Sequence, residues 1–331
     1  MLEEKVLQTI TNNNLINSGD CVILGVSGGP DSTCLLDIFL KLQKELNFRF
    51  VVAHINHKIR KEAIKDQEYV QTLCKKNNIS CYIKHADITQ IAKQQKTGIE
   101  ETGRKIRYEF FEEIAKKIGA NKIATAHNKN DKVETILMNL IRGSGISGLK
   151  GIRPVREKTY IKPLIECTKQ EIEQYCIKKE LNPQIDKTNF DNTYTRNRIR
   201  NELIPYLQKE FNPQIIETIS KMGEIITRED EYIQKQMNKE YQQIIIQENE
   251  EKIVLDLKKF NNLETVIKNR IILYTINKLF NQNIGIETTH IQDIIKLCKR
   301  NIGNKYLIPN KKVKILIKNH QIFFINNSQH P

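Results

Sequence analysis

The sequence predicts an α/β protein in two parts: a parallel sheet with helices on both faces over residues 1–208, and a smaller, mainly helical part over 209–331 ending in a β-hairpin. Three observations predict it. Short apolar runs of strand length alternate with stretches whose apolar residues recur every three or four positions. Polar residues gather directly after those runs, at the carboxyl ends where open parallel sheets bind ligands. Around Pro205 to Pro213 such clusters stop, which places the domain boundary there.

The chain opens with a helix over 2–12, its stripe Leu2, Val6 and Ile10, ended by Asn12-Asn13-Asn14. Cys21 to Val26 is a buried strand. Ser27-Gly28-Gly29-Pro30-Asp31-Ser32 breaks the run, and from Thr33 the spacing of Leu35, Leu36, Phe39, Leu40 and Leu42 is helical. A glycine turn between a strand's end and a helix's first turn is an anion site, because unpaired N–H groups and the positive helix end point at it. It is not a Walker A loop, which needs Gly-Lys-Ser/Thr, nor does G-x-G-x-x-G fit here.

Phe48 to Ile55 is the second strand, ending in His54-Ile55-Asn56-His57 with Arg60 beyond; a helix over 61–76 and a third strand over 80–83 follow. Thr97 to Phe111 leads into a helix running to about Ile118. Its positions 104, 107, 111, 114 and 118 share a stripe that starts basic, so Arg104 and Arg107 could clamp a phosphate or carboxylate near the ligand edge.

Lys122 to Ala126 is the fourth strand. After it, His127, Asp131 and Glu134 stand at i, i+4 and i+7, which places all three on one face near a helix start, where they could bind Mg²⁺ or an ammonium group. Arg142 to Ile152 holds Gly143, Gly145 and Gly148 in G-x-G-x-x-G order, but after a helix rather than a strand; it reads as a mobile or anion-binding loop. Thr168 and Glu171 make a capping box for a helix to about Glu180, stopped by Asn182-Pro183. Asp186 to Asn189 leads to a basic helical junction with Arg196 and Arg200 on one face and Ile199, Leu203 and Leu207 on another. In the second part, stripes predict helices from Ile215 to Met237, from about Leu263 to Phe280 and from His290 to Arg300. Val313 to Ile325 predicts the closing hairpin.

The net charge of +14 favours a polyanionic partner. Seven cysteines with no C-x-x-C pair fit a reducing compartment and give no support to a zinc or iron–sulfur site. No apolar run approaches the roughly twenty residues that span a bilayer. Met1 to Lys5 does not resemble a signal or transit peptide, so the protein is expected to act where it is made.

S-G-G-P-D-S at 27–32 resembles the pyrophosphate loop of ATP pyrophosphatases, whose fold is a Rossmann-like parallel sheet. Joined by H-I-N-H at 54–57, G-I-E-E-T-G-R-K-I-R-Y at 98–108, T-A-H at 125–127 with Asp131 and Glu134, R-G-S-G-I-S-G-L-K-G at 142–151 and R-N-R-I-R at 196–200, it resembles the bacterial and plastid tRNA(Ile)-lysidine synthetases. The chain departs from that pattern at Asn128 and Asn130, which stand where the family usually has His and Asp, and at Lys162-Pro163-Leu164-Ile165, where it usually has Arg-Pro-Leu-Leu. It resembles the short form of the family.

The resemblance implies an ATP-dependent ligase acting on the wobble cytidine of the isoleucine tRNA with a CAU anticodon. The C2 oxygen would attack the α-phosphate of ATP, pyrophosphate would leave, and the ε-amine of free L-lysine would displace AMP. It implies that Ser27, Gly28, Gly29, Pro30, Asp31 and Ser32, with His54 and His127, bind ATP, that Asp31 holds Mg²⁺, and that Asp131 and Glu134 bind lysine. Asp31, Asp131, Glu134, Arg104 and Arg107 would carry the chemistry, and Arg142, Arg196, Arg198 and Arg200 would hold the tRNA. A homodimer, and either a bacterial cytoplasm or a plastid (chloroplast) stroma, stay open. The alternative of the same fold is a tRNA base thiolase, which generally needs a persulfide cysteine or a C-x-x-C cluster.

Overall fold

The computed structural model describes residues 1–57, 63–184, 194–280, 285–300, 305–310 and 312–327; Arg60 and the Asp186 to Asn189 stretch lie outside them. The chain divides into two compact units, Met1–Ile226 and Thr227–Pro331. In the first, helix α1 (Leu2–Asn12) precedes strand β1 (Cys21–Gly25), α2 (Pro30–Glu45), β2 (Arg49–Asn56), α3 (Ala63–Lys76) and β3 (Cys81–His85). Then come α4 (Ile88–Gln95), α5 (Ile99–Ile118), β4 (Lys122–Ala124), α6 (Lys129–Ile141), α7 (Ile146–Leu149), β5 (Val155–Arg156), β6 (Tyr160–Ile161) and α8 (Lys169–Lys178).

The sheet order is β3-β2-β1-β4-β6-β5, parallel except for β5. Alternation along β1 explains the layers. Val22 and Leu24 bury on one face with α1, α2 and α8, whereas Ile23 buries on the other with Phe110, Phe111 and Ile114 of α5. The expected α/β architecture is therefore present. Helix α4, at eight residues, and the two-residue strands β5 and β6 were not legible, since a helical period needs about eleven or more residues and a strand alternation about four.

After α8 come α9 (Thr195–Arg198), a π-helical turn over Ile199–Leu203, α10 (Ile204–Glu210) and α11 (Ile215–Ile244). In the π turn Ile204 N donates to Ile199 O, five residues back, and Pro205, which has no N–H to give, follows directly. The first unit reaches beyond the expected boundary at 208 because Ile215, Ile216 and Ile219 pack with Val133, Ile136 and Leu137 of α6. Lys129 of α6 is bound to Glu217 at 2.8 Å.

The second unit holds the remainder of α11, then β7 (Ile245–Glu248), β8 (Lys252–Asp256), α12 (Leu257–Asn262), α13 (Thr265–Phe280), α14 (Thr288–Arg300), β9 (Lys305–Asn310), β10 (Val313–Lys318) and β11 (Gln321–Asn326). The expected hairpin is β10–β11, in register from Val313↔Asn326 to Lys318↔Gln321. It belongs to a larger antiparallel sheet of order β7-β8-β11-β10-β9, in which β7–β8 and β9–β10 are neighbours in the chain and only the β8–β11 pairing joins distant segments. Among the described residues, no helix is long and apolar enough to cross a membrane.

Candidate active site

The carboxyl edge of the parallel sheet opens into a cleft of about 1740 Å³. Its floor is the turn between β1 and α2. Gly28 has φ +93°, a conformation that an L side chain rarely adopts. Gly29 is the N-cap of α2 and Pro30 occupies the first turn, where its missing N–H costs nothing. Two serines brace the turn: Ser32 Oγ accepts from Ser27 N at 3.1 Å and donates to Gly29 O at 3.1 Å, and the two hydroxyls lie 3.2 Å apart. The amides that open α2, with no intrahelical acceptor, are thus held rigidly at the mouth of the cleft, ready for phosphate oxygens.

His54, at the end of β2, is 3% exposed. Its Nδ1 lies 2.8 Å from Val26 O, an acceptor, so Nδ1 carries the proton and Nε2 is a bare lone pair. That Nε2 is buried without a partner, as is Nδ1 of His57. Burial lowers the His54 pKa against the help of the Val26 carbonyl, and burial together with Arg107 pushes His57 down to about 4. Both rings are neutral and offer acceptors, which suits the amino or hydroxyl groups of a nucleoside.

Asp31 lies in the first turn of α2 and lines the cleft. Burial, and then the negative charge of Asp131, push its carboxyl up to about 6. Asn128 Nδ2 donates to Asp31 Oδ1 at 3.0 Å, while Asn128 Oδ1 caps α6 by accepting from Asp131 N and Asp131 Oδ2 accepts from Asn128 N, both at 3.0 Å. Asn130 Oδ1 accepts from Lys169 N at 2.9 Å and ties down the start of α8. The two asparagines that depart from the family pattern are therefore helix anchors, and Asn128 also joins the two acidic positions of the site.

Asp131 and Glu134 share one face of α6, as their spacing requires, but His127 does not join them there. It precedes the N-cap Asn128, and its Nδ1 lies 2.9 Å from Thr125 Oγ1. Burial and the positive Lys162, Arg196, Arg107 and Arg104 push His127 down to about 3, so it is uncharged in a strongly positive corner.

Glu134 is fully buried and accepts from Arg200 Nε at 2.6 Å, Arg196 Nε at 2.8 Å and Arg200 Nη2 at 2.9 Å. Asp131 Oδ1 accepts from the Nη2 atoms of both arginines at 3.0 Å. Burial works against charge on these arginines, but Asp131 and Glu134 outweigh it and hold both above their ordinary value. The result is a closed cluster of two carboxylates and two guanidiniums on the cleft wall. Their placement on one face of the junction was legible; their partners were not, because the contact joins positions more than sixty residues apart.

Arg107 also lines the cleft. Arg104 lies 5.5 Å from the ring centre of Tyr108. Arg142 and Arg198 are exposed and do not line the cleft. Arg142 caps the far end of α6, about 20 Å along the axis from Asn128. Sequence reasoning missed Asn128 as an anchor, and also Lys162 and Arg156, which lie near His127 and Arg104. The capping spacing Asn128 to Asp131 is a signal that could have found the first.

The PP-loop domain family model matches residues 1–207. A tRNA(Ile)-lysidine synthase from Clostridium acetobutylicum is 44% identical over 92% of this chain and 66% of its own length, and that of Clostridioides difficile is 38% identical over 98% and 71%. The chain belongs to the tRNA(Ile)-lysidine synthase family. It spans about two thirds or less of the length of the first clostridial relatives, 66% and 65%. Among solved structures, a U34-tRNA thiolase from Methanococcus maripaludis matches 68% of this chain and 78% of its own, with TM-score 0.57 and 20% identity. That likeness shows the fold alone, and the lysidine synthase family, not the thiolase, is the one in which the identity lies.

Proposed function

We propose that the chain ligates lysine to the wobble cytidine of the CAU-anticodon isoleucine tRNA, with ATP as the activating substrate. One observation supports this above the others: in a single cleft, Asn128 links Asp31, beside a phosphate-binding turn, to the Asp131–Glu134 pair. The turn and the opening amides of α2 hold the β- and γ-phosphates, and the neutral His54 and His57 accept hydrogen bonds from the nucleoside. His127, kept uncharged, adds no charge to a corner already rich in cations.

Asp31 fits Mg²⁺ by its chemistry. It is a carboxylate whose charge is opposed by burial and by Asp131, and a divalent ion, when bound, supplies the compensating charge and draws the triphosphate onto it. Among the described residues no three His, Cys, Asp or Glu groups gather as a metal cage, so phosphate and water oxygens would complete the shell.

The two-carboxylate, two-guanidinium cluster suits an amino acid, which carries both signs. The lysine ammonium shares Asp131 and Glu134, and an arginine released from them takes the carboxylate. The ammonium, with a reference pKa of about 10.4, must lose a proton before it attacks C2. Asp131 is the acceptor in this scheme, since Asn128 ties it to Asp31. Arg107 faces the developing phosphate charge. Arg142 and Arg198, both exposed, hold tRNA with the basic surface of both units. Arg196 and Arg200 do so only on leaving the carboxylates. The named relatives are bacterial, which favours a bacterial cytoplasm over a chloroplast; the oligomeric state, a homodimer included, is open to direct measurement.

Mixing the protein with ATP, Mg²⁺, labelled lysine and the CAU transcript tests this reading. Label is expected in the RNA with one AMP per lysine. AMP release without label in RNA would refute it.

A further inference from the structure

Lys162 follows β6 at the carboxyl edge of the sheet, with its N–H donating to Pro154 O at 2.8 Å. The residue is only 8% exposed, and among the described residues its ammonium makes no hydrogen bond or ion pair, its Nζ keeping a little contact with solvent. Burying an unpaired charge is costly, and folded chains normally pair it. Two further cations stand beside it. Arg156 lies 4.4 Å from the ring centre of Tyr160 and 5.1 Å from that of Tyr108, and Arg104 lies 5.5 Å from the same Tyr108 ring. The two rings meet edge-on at 5.1 Å, so they fix both guanidiniums in place.

The acidic groups bordering this cluster do not neutralise it. Glu112 accepts from Tyr160 Oη at 2.5 Å, and Glu157, 3.4 Å from Arg156 Nε, is largely in solvent. Burial, Arg156 and Arg104 together push the Lys162 pKa down to about 8, with no acidic neighbour opposing them. None of the three lines the cleft, but Lys162 and Arg104 are close enough to His127, which does, to act on its charge.

We propose that Lys162, Arg104 and Arg156 form an anion subsite that holds a backbone phosphate of the RNA substrate, adjoining the nucleotide that enters the cleft. Three converging cations, two of them planar forks held by aromatic rings, suit a phosphodiester better than the single charge of an amino acid's carboxylate. The carboxylate has arginines of its own in Arg196 and Arg200. The inference rests on the reading that the substrate is RNA.

The test compares wild type, Lys162→Met, Lys162→Arg and the surface variant Arg156→Gln, using the CAU transcript as probe over a salt series. Lys162→Met is expected to weaken RNA binding about tenfold and to flatten the slope of log K against log salt by roughly 0.7 to 0.9, the release expected for one phosphate contact. Lys162→Arg should restore both, and Arg156→Gln should reproduce a smaller loss while the protein stays folded, its melting temperature lowered by a few degrees at most for the two ring contacts it gives up. Unchanged RNA affinity and slope in both Lys162→Met and Arg156→Gln would overturn the inference. So would a raised lysine KM at constant RNA affinity, which would make the anion the amino acid's carboxylate. A wild type that neither binds nor modifies the transcript would instead refute the functional reading itself.

Discussion

Glu134→Gln isolates the centre of the site. The carboxylate is fully buried and receives three hydrogen bonds from Arg196 and Arg200. The amide keeps the shape but removes the charge and turns one acceptor into a donor facing a guanidinium. Breaking a buried ion pair costs about 3–5 kcal/mol. The arginine side chains are 26% and 25% exposed, so water and Asp131 recover part of that. A loss of about 2–4 kcal/mol should remain, and at about 2–4 °C per kcal/mol for a unit of this size it lowers the melting temperature by roughly 4–16 °C. If Glu134 also shares the lysine ammonium, the KM for lysine in the transfer assay rises by at least about tenfold while that for ATP holds, equivalent to about 1.4 kcal/mol of lost binding. Thermal unfolding and steady-state kinetics on the same preparation read both. An unaltered melting temperature would refute the stability argument. A lower melting temperature with an unchanged lysine KM would reduce Glu134 to a brace for the arginines.

Other outcomes follow from the same geometry. Asp31 is raised to about 6 from an ordinary value of 3.8, so its ionisation opposes folding: the penalty is absent below about 4, grows to about pH 6 and is constant above. Protons then compete with Mg²⁺, and the affinity for Mg·ATP should fall up to tenfold per pH unit below about 6; calorimetry showing a flat profile down to pH 5 would contradict this. Asn128→Ala removes the cap of α6 and the hydrogen bond that favours ionised Asp31, so it should cost about 1 kcal/mol and move that acid limb to higher pH. Gly28→Ala forces a side chain into φ +93°, which should cost about 1–2 kcal/mol and abolish nucleotide binding measured by fluorescence titration.

Several features were readable without coordinates. The strand–turn–helix at 21–45 was legible because burial leaves a period-free apolar run, and the glycine turn follows from backbone geometry that few other residues accept. The capping box at Thr168 was read from spacing and is present, with Glu171 N donating to Thr168 Oγ1 at 3.2 Å. His127 lies off the face of α6 because spacing alone cannot show where a helix begins; the N-cap is Asn128, whose side chain accepts from Asp131 N, so the helix starts at Lys129 and His127 precedes it.

The sequence by itself determined the layered sheet, the glycine turn at the end of β1 and the residue types that line the cleft, since each depends on local backbone preference and short-range periodicity. Only the tertiary structure decided that Arg196 and Arg200 close on Asp131 and Glu134, that Asn128 bridges to Asp31, and that Lys162 stands beside Arg156 and Arg104. The reason is physical: hydrogen bonds and ion pairs between distant elements are fixed by how helices dock on the sheet, and charge spacing along a chain carries no record of which partner stands across the gap.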